Sequence, residues 1–199
     1  NEELIALLTE RRAATIGRAV TQGLDSRRDS RETNAGWLRQ VPRGWQSAPI
    51  EAAGKVALGK MLQEHPSSDS DASMPYLRAA SVQPNGVLDL STIKEMWFSP
   101  REQRSLNLRR GDIVVVEGGV GGYGRAAFIP DDLRGIGFQN SIVRVRPYSN
   151  ADGRFLTYVL LHLRTIGYIE MIANVASMPH FTAEKVAATR VPVPPVAEQ

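Results

Sequence analysis

Leu108-Arg109-Arg110-Gly111-Asp112-Ile113-Val114-Val115-Val116-Glu117-Gly118-Gly119-Val120-Gly121-Gly122-Tyr123-Gly124-Arg125-Ala126-Ala127-Phe128-Ile129-Pro130 is the stretch that decides how this chain is read. The β-branched run at 113–116 predicts a strand. The glycines at 119, 121 and 124 have the GxGxxG spacing of a dinucleotide-binding loop. That chemistry needs the last glycine to open a helix whose N-terminus holds a pyrophosphate. Here Arg125-Ala126-Ala127-Phe128-Ile129 reads as a second strand, stopped by Pro130. An acidic residue should also close a strand about 20 residues further on, but the segment 138–146 carries arginines there. The stretch is strand, glycine hairpin, strand, and cofactor binding is excluded. What remains is a backbone that a ligand can approach closely, with Arg125 at its exit in reach of a phosphate or a guanine edge.

Outward from this hairpin the elements are short and mixed. Strands are predicted at 75–82, 112–117, 125–129 and 138–146. Gln83-Pro84-Asn85-Gly86 is a turn continued by Val87, Leu88 and Leu90. Thr92 with Glu95 has capping-box spacing, and Ser99-Pro100-Arg101-Glu102 adds proline at the first helical position, so a helix is expected after each. Asp152 caps a helix that Gly167 stops near 166, and Thr182 caps a short helix before Val191-Pro192-Val193-Pro194-Pro195. Residues 60–73 are polar and read as a long exposed loop. Strands and helices do not alternate strictly, which gives an α+β class: a small mixed, twisted sheet with flanking helices.

Residues 1–24 form a separate unit. Leu4, Ile5, Leu7, Leu8, Ala13, Ile16, Ala19 and Val20 recur at helical spacing, so a protruding N-terminal helix is expected, ended at Gly23. The polar segment 25–36 then reads as a solvated linker to a domain at 37–199, which opens with the apolar residues Trp37, Leu38, Val41, Pro42 and Trp45. The helix stripe packs either on another helix or back on its own domain.

Composition excludes more than it identifies. The 199 residues are 42% hydrophobic and 23% charged, as in a globular chain with a core. No cysteine is present, which removes disulfides, thiol catalysis and cysteine-based metal sites and suits a cytoplasmic protein. No apolar run reaches membrane-spanning length. His65, His162 and His180 are scattered without metal-ligand spacing. Asp131-Asp132 lies in a Pro-Asp-Asp turn, and no GxSxG elbow or Asn/Asp-Pro-Pro-aromatic motif occurs. No catalytic set, metal site or cofactor is therefore expected. Net charge is +3, and of 24 basic residues only Lys55, Lys60, Lys94 and Lys185 are lysines; the rest are arginine, the better fork for phosphates and guanine edges.

An ordered set of segments resembles a known family. Pro75-Tyr76-Leu77-Arg78 followed by Val82, Leu108-Arg109-Arg110-Gly111-Asp112-Ile113-Val114-Val115, Gly124-Arg125-Ala126, Phe138-Gln139-Asn140 with Arg144, and Val191-Pro192-Val193-Pro194-Pro195 ending in Glu198-Gln199 are similar to the target recognition domain of type I restriction–modification specificity subunits. Leu7-Leu8-Thr9-Glu10-Arg11-Arg12 and Ala19-Val20-Thr21-Gln22-Gly23-Leu24-Asp25 resemble the end of that family's spacer helix.

The resemblance implies a non-catalytic subunit of a restriction–modification complex. In that family two recognition domains, separated by antiparallel spacer helices, each read half of a split double-stranded DNA target. Methyltransferase subunits dock around the assembly and restriction subunits join it. This chain corresponds to one half. Base readers are expected in the loops 60–73, 119–125, 130–137 and 173–180, and scaffold or phosphate contacts at Gln139 and Tyr76-Leu77-Arg78; the expected DNA-binding residues are Lys60, Arg78, Gly122, Tyr123, Arg125, Arg134, Asn140 and His180. Leu4, Leu8 and Arg11 are expected at the interface with a second recognition domain or a sister chain, in coiled-coil fashion. Two alternatives stay open: a recognition domain from a fused restriction–methylation enzyme, and an interaction module that binds no DNA.

Overall fold

The computed structural model describes residues 2–25, 27–91, 93–119, 122–173 and 179–199. The expected cap at Thr92 and the middle of two expected loops, 120–121 and 174–178, lie outside the described residues.

The elements run α1 (Glu2–Gln22), β1 (Ser30–Ala35), β2 (Leu38–Pro42), β3 (Gln46–Pro49), α2 (Ile50–Ala53), β4 (Gly54–Leu58), β5 (Ala72–Leu77), a 3-10 turn (Ala79–Ser81), β6 (Lys94–Phe98), α3 (Pro100–Ser105), β7 (Ile113–Val116), β8 (Ala126–Phe128), β9 (Gly137–Phe138), β10 (Ile142–Pro147), α4 (Gly153–Thr165), α5 (Tyr168–Ala173), α6 (Ala183–Ala188), β11 (Arg190–Val193) and a final 3-10 turn (Val196–Glu198). The α+β class expected from the sequence is the one observed. The central sheet has the order β4-β10-β7-β8, antiparallel throughout. Ile113-Val114-Val115-Val116 is fully buried because β7 lies inside this sheet with both faces covered. The pleat sends alternate residues to opposite sides. Ile113, Val115, Val143 and Val145 join α4 residues Phe155, Leu156, Val159, Leu160 and Leu163 in one core. Val114, Val116 and Ile142 face Leu77, Val82, Leu108, Ile129 and Phe138 in the other.

Local signals for caps and turns hold. Ser99 and Glu102 form the reciprocal capping box with Pro100 in the first turn. Asp152 Oδ1 accepts from Arg154 N and Phe155 N, and Thr182 accepts from Lys185 N. Gly86 turns at φ +84° with its N–H on Gln83 O, and Val82 bridges Leu88 as a hairpin requires.

Four expectations are corrected. The helix expected after Thr92 is the strand β6, paired with β5; Met96 and Phe98 are buried on one side, a period of two that capping-box spacing does not reveal. The supposed linker is in its second half the strand β1, hairpinned with β2. It reads as linker because only Ala35 of its six residues is buried. The strand expected at 138–146 is two strands, split by a turn in which Ile142 N donates to Gln139 O. The strand expected at 75–82 ends at Leu77, and α5 follows Gly167 unannounced.

The helix α1 docks on its own domain at one end only. Leu4, Ile5, Leu7 and Leu8 are more than half exposed, so this end protrudes. Gly17 and Val20 are buried, and a Cβ on Gly17 would meet the His162 ring at 2.9 Å, so the other end docks on α4.

Candidate nucleic-acid interface

Antiparallel pairing sets where the loops emerge. In register, Leu58 lies opposite Val143, Ile142 opposite Val116, and Val115 opposite Ala126. The end of β4, the start of β10, the end of β7 and the start of β8 therefore share one end of the sheet, and the segments 59–63, 117–125 and 139–141 leave from it. Main-chain bonds tie them together. Asn140 N donates to Lys60 O at 2.8 Å, Gln139 N to Leu77 O at 2.9 Å, Glu117 N to Ser141 O at 2.9 Å and Phe181 N to Glu117 O at 2.7 Å. Ala79 N donates to Ser141 Oγ, and Gly118 bridges His180. Gly59 is required here, since a Cβ would sit 2.2 Å from Gln139 O.

Seven of the eight expected DNA-binding residues meet at this end: Lys60, Arg78, Gly122, Tyr123, Arg125, Asn140 and His180. Arg134 does not. It follows β8, whose far end pairs through Ile129 N with Asp112 O at the start of β7, and its guanidinium pairs with Asp132 at 2.7 Å.

Their environments differ. Lys60 is nearly buried, and its ammonium donates to Gln63 Oε1, Trp97 O and Glu102 Oε2, using all three of its protons inside the protein. Burial pushes the Glu102 carboxyl up, but hydrogen bonds from Lys60 and Ser99 outweigh it and hold the group below the usual carboxylate range. Arg78 and Arg125 are half-buried and each already has an interaction within the chain. Tyr123 is partly buried and packs against the α4-side core. His180 Nδ1 lies 3.0 Å from Glu117 Oε2, a pair 63 residues apart in sequence that no local pattern signals. The hairpin glycines are partly explained by the protein itself: a Cβ would lie 2.6 Å from the His180 ring at Gly118 and 2.6 Å from Ile169 at Gly124. Gly122 meets nothing closer than 3.7 Å and stays open to an outside group.

The other end of the sheet is held by charge. Asp112, almost fully buried, accepts from Arg146 Nε at 2.7 Å, Arg146 Nη2 at 2.8 Å and Arg109 N at 2.9 Å. Arg144, also buried, donates to Ser105 O and Asn107 O. Burial, then the neighbouring Arg146, push its guanidinium down to about 10, with Asp112 opposing them.

Near α1, Leu8 and Arg11 line a groove of about 880 Å³ together with Ile16, Trp45, Phe155 and Tyr158; Leu4 lies further along the exposed helix. Among the described residues no group of three histidines or carboxylates could hold a metal ion, and no helix is long and apolar enough to cross a membrane.

No protein-family model and no curated protein matches the chain. Solved structures do. The HsdS subunit from Thermoanaerobacter tengcongensis superposes with a TM-score of 0.56 at 18% identity, over 78% of this chain and 39% of that one. A chain from a structure describing complex assembly and conformational transition of the type I R-M system gives 0.56 at 14% identity, over 99% of this chain and 44% of that one. The chain therefore shares its fold with part of these two chains. The chain spans less than half the length of either neighbour.

Proposed function

We propose that the chain is the DNA-recognition part of a type I restriction–modification specificity subunit. It binds double-stranded DNA sequence-specifically, reads one half of a split target, and directs methyltransferase and restriction subunits there without catalysing a step itself. The observation that carries this reading is the gathering of Arg78, Gly122, Arg125, Asn140 and His180 at one end of the sheet, on a fold shared with HsdS. Such a module needs phosphate contacts for register and loop side chains for base edges, and no catalytic group. Lys60 and Arg134 drop out of the contact set, one because its protons are used internally and the other because it lies elsewhere. The exposed stripe Leu4 and Leu8, with Arg11, is the assembly surface.

Binding of random and selected duplexes across salt concentrations tests this. Phosphate binding weakens steeply with salt. Arg125 is assigned a phosphate, so Arg125→Ala weakens all duplexes alike and reduces the salt slope by about one unit. A base contact would instead cost about 1–3 kcal/mol on the selected target and relax one position. Unchanged affinity in a folded Arg125→Ala protein makes the hairpin a structural turn. A wild-type chain that binds no duplex even at low salt is an interaction module of another kind.

A further inference from the structure

Three exposed arginines of the sheet domain lie together at a place that none of the expected DNA-binding residues occupies. Arg109 and Arg110 precede β7 and Arg154 lies in the first turn of α4; with Arg146 they line a cleft of about 460 Å³ at the end of the sheet opposite the loops. Two acids share that lining, Asp112 and Asp152, and both are engaged. Asp112 is chelated by Arg146 at 2.7 and 2.8 Å. Asp152 accepts the N–H groups of Arg154 and Phe155 as the cap of α4. Arg109, Arg110 and Arg154 are exposed, and among the described residues none of them forms an ion pair. The Arg154 guanidinium is steadied 5.2 Å above the Phe128 ring. With Arg146 the cleft lining carries four guanidinium groups against two carboxylates, an excess of positive charge that an anion would offset.

We propose that this cleft binds phosphate groups of the nucleic-acid backbone through Arg109, Arg110 and Arg154. The inference rests on the DNA-recognition reading and adds phosphate contacts to the one assigned to Arg125 at the loop end. There Lys60 is internal, while Arg78 and Arg125 already have interactions within the chain. From Asp112 to Gly118 the chain runs through β7 and its flanking residues, six steps that at ~3.3 Å each span at most ~20 Å. That is about the rise of six base pairs at ~3.4 Å. A duplex lying along the sheet has its bases at the loops and a backbone segment at the cleft, so the arginines set affinity and register while the loops set sequence.

The test uses the full chain with Arg109→Gln, Arg110→Gln and Arg154→Gln, singly and combined, and reads affinity for a random and a selected duplex against salt. The expected result is a folded triple variant that loses affinity equally for both duplexes. Its salt slope falls by about 2–3 units and its base preference is unchanged. A wild-type salt slope in the triple variant overturns the site. So does a triple variant that keeps its DNA affinity but no longer binds methyltransferase subunits, because the cleft then fits an acidic protein surface. A wild-type chain without duplex binding at low salt overturns the DNA reading itself, and this inference with it.

Discussion

Asp112→Ala is expected to be the most damaging single substitution at the charged end of the sheet. Asp112 is 1% exposed and Arg146 only 25% on its side chain, so the pair is largely out of water. Removing one partner of a buried pair costs about 3–5 kcal/mol, mostly because the other charge is left uncompensated. Arg146 Nη2 keeps a bond to Asn107 O and part of its surface remains wet, which lowers the figure. Arg144 also loses the nearby carboxylate that offsets its burial, which raises it. The balance is about 3 kcal/mol, or about 6–12 °C in Tm for a chain of this length. Urea unfolding followed by far-UV circular dichroism reads it directly. Asp112→Ala combined with Arg146→Met removes both charges, so its loss should fall at least 1.5 kcal/mol short of the sum of the singles, roughly the coupling of contacting groups. A loss under about 1 kcal/mol for Asp112→Ala, or strict additivity in the double variant, refutes the reasoning.

Three further outcomes are expected. Burial lowers the pKa of His162, so the neutral ring is the form the fold favours; stability is full above the unfolded value of about 6.5 and falls as pH drops through it towards the folded pKa. A Tm series from neutral to mildly acid pH in wild type and His162→Gln checks this, and identical curves refute it. Gly59→Ala drives a Cβ into Gln139 O and Phe138 O; it should cost about 1–3 kcal/mol and weaken duplex binding, and a stable variant with full affinity means that the 59–63 and 139–141 segments are not rigidly joined. Leu4→Ser with Leu8→Ser should change urea stability by no more than about 0.5 kcal/mol while abolishing assembly, whereas Val20→Ala costs about 2 kcal/mol because that end of α1 is packed; equal effects would show that the helix acts as one unit.

Part of the candidate site was legible in the sequence. The hairpin at 119–125 could be separated from a cofactor loop because the residues after Gly124 have the pattern of a strand, and the structure places Arg125 just before β8. That Gly122, Asn140, Arg78 and His180 would share one end was not legible. It follows from β10 pairing with both β4 and β7, partners far apart in the chain. Lys60 looked like any loop lysine; only the arrival of Glu102, 42 residues on, and of the Trp97 carbonyl removes it from solvent. The cleft arginines were visible as letters, but Arg154 lies 44 residues beyond Arg110, and nothing local joins them.

What the sequence determined by itself was everything written within a few residues: the caps at Ser99, Asp152 and Thr182, the turn at Gln83–Gly86, the buried run of β7, the stop at Gly23, and the absence of thiol chemistry. These rest on local hydrogen bonds and backbone preferences that neighbours along the chain satisfy. The tertiary structure alone decided that 30–35 is a strand, that 94–98 is a strand despite its cap signal, that α1 is half docked and half exposed, and which cations keep a free charge. Strand pairing and charge neutralisation are contacts between distant residues, and each depends on what the fold brings opposite, which short-range pattern does not carry.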